Sequence, residues 1–360
     1  MMPPTKPDVA EQIKKLGAFD LAACYNCGSC SAVCPLSEGD LSFPRRMIRY
    51  VQLGLEKKIL AAPEAWLCYY CGECSQTCPR QADPGGLMMA LRRFAIRKYS
   101  IGRIADIFYS ALASGAAWVV LTAIAVAAII GFHSPTMDRS RVDFLSFISL
   151  DAVHIAGIAI MSFVGLAFLV NIGIMVRAMK STRPPGALTW KKMIGSAPAA
   201  LRETIWQKRF GTCEDNGRHR LAHLAVSWGF MGMFLATLII SAVDFKWLPL
   251  PRWISLVLGS VSGIASLYGL AYFGYLRLSR KTTYGRYSHP SDWAFLVLLG
   301  LSIVSGFAMV VLRFLNLPLA AYGAFAVHLV AVFNFLMALP FTKFAHVIYR
   351  PVALWLAGEK

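Results

Sequence analysis

Charge is scarce in this chain: 15% of its 360 residues are charged and 57% are hydrophobic, too apolar a balance for an ordinary soluble domain. Acidic residues are scarcer still, 19 against 36 Lys and Arg. The opening stretch, MMPPTKPDVAEQIKKLGAFD, lacks the apolar core of a secretory signal. The N-terminal region is therefore expected in the cytoplasm, where thiols stay reduced and clustered cysteines favour metal over disulfide. That region also lacks a Gly-x-Gly-x-x-Gly fingerprint for a flavin or nucleotide. Two-electron chemistry on a soluble substrate is thus expected on other proteins of a complex, and the chain is expected to be inactive alone.

What fills the rest is apolar. Beyond Asp106, uncharged apolar runs recur, each long enough to cross a hydrocarbon core of roughly 30 Å. Six spans are predicted near 107–131, 152–176, 221–243, 253–276, 293–312 and 319–342. None contains Asp, Glu, Lys or Arg away from its ends, which argues against a carrier of ions or protons, whose path needs carboxylates. With the N-terminal region inside, the connections 177–220 and 277–291 lie inside too and carry ten and four Lys or Arg. The three outer connections together carry five. This follows the positive-inside rule, so the formal charge of +17 is assigned to topology in a cytoplasmic (inner) membrane and not to nucleic acid.

Cysteine is concentrated at one end. CYNCGSCSAVCP begins at Cys24 and CYYCGECSQTCP at Cys68, so Cys24, Cys27, Cys30 and Cys34 recur 44 positions later as Cys68, Cys71, Cys74 and Cys78. The spacing Cys-x2-Cys-x2-Cys-x3-Cys-Pro is that of two-cluster ferredoxins, in which the fourth Cys of each run ligates the other cluster. That assigns Cys24, Cys27, Cys30 and Cys78 to one [4Fe–4S] cluster, and Cys68, Cys71, Cys74 and Cys34 to the other. Structural zinc usually takes paired Cys-x2-Cys ligands instead. Cys213, alone in GTCEDNG, reads as a loop residue.

Between the two runs, FPRRMIRYVQLGLEKKIL reads as helix, with Pro44 at an early position. After them, Leu87, Met88, Leu91, Phe94 and Ala95 fall on one helical face, and the basic side of that helix is expected on headgroups, a partner or solvent.

The ionisable residues within or bordering the spans are His154, His223, His328 and His346. Neutral imidazole is a common ligand of haem iron. His328 and His346 are eighteen residues apart, five helical turns and roughly 27 Å, which places them on one face, with Pro340 kinking the helix between them. The third span runs outward and the sixth inward, so His223 and His346 share the cytoplasmic side and are expected to ligate one haem b. His328 lies in the outer half. Its expected partner is His154, although that residue sits roughly 9 Å shallower by helix rise; Met233, on the third span, is the alternative. His219, His289 and His133 read as solvated, and Asp244 with Lys246 as an interfacial pair.

These motifs resemble a known family. The cysteine runs, with Trp66 just before the second, are similar to the small iron–sulfur protein of heterodisulfide reductase, its C component. The body, with RLAHLAVSWGF and the eighteen-residue histidine pair, is similar to that enzyme's haem b membrane protein, its E component, and to the gamma subunit of respiratory nitrate reductase. One chain joining both halves resembles the C components of quinone-interacting membrane-bound oxidoreductase complexes. Two features depart from these patterns: Met233 stands where the nitrate reductase pattern has a second His, and no Cys-Cys pair is present. The resemblance implies a link between menaquinone, two b haems, two [4Fe–4S] clusters and cytoplasmic heterodisulfide reductase A-like flavoproteins, which exchange electrons with adenylylsulfate reductase. The fold expected is all-α: a two-cluster ferredoxin-like domain over 1–105, a six-helix transmembrane haem-binding bundle over 106–350 and a tail over 351–360. The rivals are another heterodisulfide-reductase-like quinone oxidoreductase, and a non-respiratory membrane protein with a redox-sensing ferredoxin head.

Overall fold

The computed structural model describes residues 5–18, 20–37, 42–133, 137–182, 189–208, 210, 217–280 and 287–358. Cys213 lies outside them. Among the described residues every regular element is helical and no strand forms, as the apolar periodicity requires.

The N-terminal region is built from short helices: α1 (Asp8–Lys15), α2 (Ser29–Ala32), α3 (Arg45–Gln52), α4 (Glu56–Ala61), α5 (Glu64–Leu67), α6 (Glu73–Gln76) and α7 (Pro84–Tyr99). The expected helix across 43–60 is two helices, because Gly54 takes φ 63° and turns the chain between them. Helix α7 starts where the Asp83 side chain accepts the Gly86 N–H at 3.1 Å, with Pro84 at its first position. Leu87, Met88, Leu91, Phe94 and Ala95 are all buried, as their shared face demands. Its basic side is largely taken up by protein contacts. Arg93 is buried against Asp292 at 2.7 Å, and Arg92 donates to the carbonyls of Ala65, Trp66 and Cys68.

A break at Ala111 (φ −154°, ψ 151°) separates α8 (Asp106–Ser110) from α9 (Leu112–His133), so the first long helix begins later than residue 107. After α10 (Phe144–Phe147) come α11 (Leu150–Lys180), α12 (Trp190–Trp206), α13 (Gly217–Asp244), α14 (Arg252–Ser279), α15 (Pro290–Phe314) and α16 (Pro318–Ala338). Six of these, α9, α11 and α13 to α16, are long and apolar enough among the described residues to cross a membrane, matching the six predicted spans in number and order. Their outward residues, such as Val120, Leu121, Ile158 and Val261, are exposed and apolar, the arrangement of a helix bundle solvated by lipid.

Small residues set the packing inside. A Cβ on Gly229 would collide with Ser262 and Ser266, and one on Gly269 with the Ala222 carbonyl, so α13 and α14 touch backbone to backbone.

Helix α16 stops at Ala338. Pro340 lies in the first of two 3₁₀ turns, Leu339–Phe341 and Lys343–Ala345, and His346 opens a new helix, α17 (His346–Ala357). A proline in a helix interior removes a hydrogen bond and clashes with the preceding turn, which is why the eighteen-residue phase does not carry across. Residues 351–357, expected as tail, continue α17. This helix packs back on the N-terminal region: Tyr349 lies 5.2 Å from Trp66 and 5.9 Å from Tyr99 between ring centroids, and all three are buried. One hydrophobic core thus runs from α1 through Trp66 to Met175, Met179 and Tyr349.

Candidate functional site

The two cysteine units repeat in backbone as they do in sequence. Asn26 and Tyr70 both take positive φ, 58° and 59°, and each donates its N–H to the first cysteine sulfur of its unit, Cys24 at 3.4 Å and Cys68 at 3.3 Å. Gly28 and Gly72 follow at φ 96° and 89° and open the one-turn helices α2 and α6, which carry Cys30 and Cys74. N–H groups aimed at sulfur are one of the means by which a protein tunes a thiolate-bound cluster.

Cys34 leaves its own unit. It lines one cavity with Cys68, Cys71 and Cys74, walled by Phe43, Pro44 and Met88. On the other side, the guanidinium of Arg80, two residues after Cys78, lies 4.3 Å over the Tyr25 ring of the first unit. All eight described cysteines are free thiols. Burial pushes the Cys34 thiol up to about 12 and raises Cys68 as well, whereas the Ser29 hydroxyl and N–H hold exposed Cys27 below its usual value. Among the described residues no three His, Cys, Asp or Glu side chains converge on a point fit for one metal ion. Four cysteines lining one cavity are the donor set that a four-iron cluster would take.

The histidines divide. His223, on α13, and His346, at the start of α17, lie with ring centroids 6.1 Å apart. The Nδ1–H of His223 donates to Gln207 Oε1 at 2.8 Å, and that of His346 to the Lys343 carbonyl at 2.6 Å. Because both acceptors are oxygens, each ring keeps its proton on Nδ1 and presents the Nε2 lone pair for a metal. A metal–imidazole bond of about 2.0 Å on each side, plus the reach from nitrogen to ring centre, gives a centroid separation of roughly 6 Å. His223 and His346 are the residues that would hold a haem iron at this place.

His328 also donates from Nδ1, to the Ser302 carbonyl at 3.0 Å, with Ser305 Oγ at 3.1 Å. The ring of His154, its expected partner, lies 4.5 Å from Phe245, just past the end of α13. The residues around His154 on α11, Ala152, Val153 and Ala156, line one cavity with Leu329 and Phe333 of α16. Met233 belongs to the apolar cluster that includes Ile303, which lies between the two serines that hold His328.

His219 and His289, expected in solvent, are buried, His219 against Phe210 and Phe273, and His289 against Tyr109. His133 is exposed, as expected. Asp244 pairs with Arg252 at 2.6 Å.

Three features escaped the sequence. Asp292, at the head of α15, receives Arg93 at 2.7 Å, Lys343 at 3.2 Å and Arg277 at 3.5 Å, tying α7 to the end of the bundle where α15 begins. Tyr69 and Phe210 bridge the second cysteine unit to His223, with ring separations of 4.9 and 5.1 Å. Arg350 lies 4.1 Å over Tyr69 and 5.6 Å over Phe210.

Comparison with known proteins agrees with this division. Residues 20–82 match the family model of the 4Fe-4S dicluster domain, and residues 112–360 match that of citrate utilization protein B. A protein of Archaeoglobus profundus similar to the C component of heterodisulfide reductase is 40% identical over 98 residues, 27% of this chain and 52% of that protein. Citrate utilization protein B of Escherichia coli is 26% identical over 219 residues, covering 53% of each chain. The C component of the H(2):CoB-CoM heterodisulfide,ferredoxin reductase of Methanothermobacter thermautotrophicus is 34% identical over 60 residues, 17% of this chain and 32% of that one. The chain spans about half the length of the first two relatives and about a third of the last. No solved structure matches it. Since the second of the two matched models takes in well over half of its residues, the chain belongs to the citrate utilization protein B family, and it carries a 4Fe-4S dicluster domain ahead of that region.

Proposed function

We propose that the chain is the membrane electron conduit of a quinone-linked oxidoreductase complex. Its 1–105 head, placed in the cytoplasm, would hold two [4Fe–4S] clusters, one on Cys24, Cys27, Cys30 and Cys78 and one on Cys34, Cys68, Cys71 and Cys74. Its membrane body would hold two b haems, the inner on His223 and His346 and the outer on His328. The bound groups supply reversible one-electron storage. The protein orients both inner imidazoles through Gln207 and Lys343, buries the Cys68 unit away from water, and keeps the centres on one core.

The observation that carries this reading is the meeting of the four-cysteine cavity and the histidine pair at the same end of the bundle, through Tyr69 and Phe210. Electrons would pass between menaquinone in the membrane and a soluble heterodisulfide reductase A-like flavoprotein. The resemblance to quinone-interacting complexes makes adenylylsulfate reductase the final partner. The family match over residues 112–360 favours a second identity for it, a flavoprotein serving the use of citrate or a related tricarboxylate.

The chain purified from membranes should contain roughly eight iron and eight sulfide outside haem, following two four-iron clusters, and show a reduced haem b band. Menaquinol should reduce that band. Zinc in place of iron, or no haem, removes the proposal. Co-purifying flavoproteins, tested with adenylylsulfate and with tricarboxylates, decide between the two partners.

A further inference from the structure

The two cysteine units are equal in sequence and unequal in the fold. Tyr25 and Tyr69 occupy the same position 44 residues apart, each directly after the first cysteine of its unit. Tyr25 is 72% exposed, and Tyr69 is 8% exposed. The cysteines differ in the same direction: the first unit has Cys27 exposed and Cys30 buried, whereas in the second both Cys68 and Cys74 are buried. Tyr69 is turned inward, its hydroxyl donating to Glu203 at 2.7 Å and its ring against Phe210, which in turn touches His223.

Arg350 occupies the middle of this bridge. It lies one helical turn after His346 on α17, so both side chains leave the same face. Its guanidinium covers Tyr69 and Phe210, and it is in electrostatic reach of Cys68, His223 and His346. One of its amino groups, Nη2, is buried without a hydrogen-bond partner. A partly buried cation stabilises an electron placed on either side of it.

We infer that the two units hold fixed and different places in the electron path. The Cys34–Cys68–Cys71–Cys74 unit exchanges electrons with the histidine pair, with Arg350 as the positioning charge between them. The Cys24–Cys27–Cys30–Cys78 unit is the outer stop and faces the soluble partner. This rests on the proposed function and adds an order to it. Each transfer moves one electron and no atom, between the flavoprotein at one end and the quinone pool at the other.

The test uses the full-length chain in detergent with its clusters and haems. The Cys27→Ser and Cys71→Ser variants assign the two cluster signals in electron paramagnetic resonance. Arg350→Gln should move the signal assigned through Cys71, and the inner haem, to lower midpoint potential, leaving the Cys27 signal in place. Arg350→Lys should restore both. On the unsubstituted protein, a dysprosium–EDTA complex in solution should speed relaxation of the Cys27 signal more than that of the Cys71 signal. The inference is overturned if Arg350→Gln moves the Cys27 signal instead, moves neither, or if dysprosium acts equally on both. Absence of clusters or haem would instead remove the proposed function itself.

Discussion

The rings of His223 and His346 meet at 6.1 Å, brought together by α13 and by a helix that begins only after Pro340 has broken α16. Each ring is turned by an oxygen acceptor on its Nδ1 side, Gln207 for one and the Lys343 carbonyl for the other. Removing either imidazole should therefore empty one haem position and leave the other filled. His223→Ala and His346→Ala are each expected to lower the reduced-minus-oxidised haem b absorbance by about half, as loss of one of two haems requires. Gln207→Leu should retain that haem but raise its potential, since the acceptor that makes His223 a stronger donor to the oxidised iron would be gone. Full haem content in both His variants would show that the pair is structural.

Cys34 lines the cavity of the second unit, so its loss should be felt there. Cys34→Ser and Cys71→Ser are expected to disturb the same cluster signal, and Cys78→Ser and Cys27→Ser the other. Iron per chain should fall from roughly eight toward four in any of the four variants, following the loss of one four-iron cluster. A shared signal for Cys34 and Cys27 would mean that each unit closes on itself.

Much of this was legible in the sequence because the signals were local or strictly periodic. The cysteine spacing, the six apolar runs and the shared face of α7 each depend on residues within a few turns of one another. The pairing of His223 with His346 could also be read, since alternating span direction fixes which ends share a side. What could not be read depends on tertiary contact. Tyr25 and Tyr69 stand in matching surroundings in the sequence, and only the approach of Phe210 and Arg350 makes one of them inward. His219 and His289 sit in basic connections that suggest water, but Phe210 and Phe273 cover the one and Tyr109 the other. Arg93 reads as one cation on the basic side of a helix until Asp292, distant in the chain, meets it.

That meeting sets a stability prediction. Asp292 is 2% exposed and is the carboxylate shared by Arg93, Arg277 and Lys343. Breaking a buried ion pair by removing one partner costs about 3–5 kcal/mol, because the remaining charge stays buried without compensation. Asp292→Ala should destabilise the joint between α7 and the bundle by that order. In limited proteolysis the region before α8 should be released at lower protease concentration than in the unsubstituted chain. Arg277→Gln, which leaves two cations on the carboxylate, should have a smaller effect. Equal protease sensitivity for Asp292→Ala and the parent would show that the joint does not depend on this cluster.

A second charge cluster gives a pH dependence. Burial alone would raise the Glu56 carboxyl, but Lys6 at 3.0 Å and Lys98 at 3.2 Å outweigh it and hold the group below its usual value. A carboxyl whose folded value is depressed contributes stability above its unfolded value of about 4.3, and this is lost as pH falls through the folded value. The stability difference between the parent and Glu56→Gln should therefore be constant from neutral pH down to about 5 and shrink below about 4. Thermal unfolding of the two proteins across that range measures it. A difference that grew on acidification would reverse the sign and overturn the assignment.

The outer haem gives the last prediction. His328 donates from Nδ1 to the Ser302 carbonyl, so its Nε2 is available for iron as in the inner pair. The ligand opposite must lie at the same depth. The stretch of α11 that carries His154 does reach α16, since Ala152, Val153 and Ala156 share a cavity with Leu329 and Phe333, but the His154 ring itself packs 4.5 Å from Phe245. Met233, eleven residues before the end of α13, belongs to the apolar cluster that includes Ile303 of α15, next to Ser302. A thioether opposite an imidazole also raises the potential, which would set the outer haem above a bis-imidazole inner haem. Met233→Ala is therefore expected to lose the higher-potential haem or turn it high-spin, and Met233→His to keep it at lower potential. His154→Ala is expected to keep both haems with unchanged potentials. Loss of the outer haem in His154→Ala, with Met233→Ala unaffected, would return that ligand position to His154.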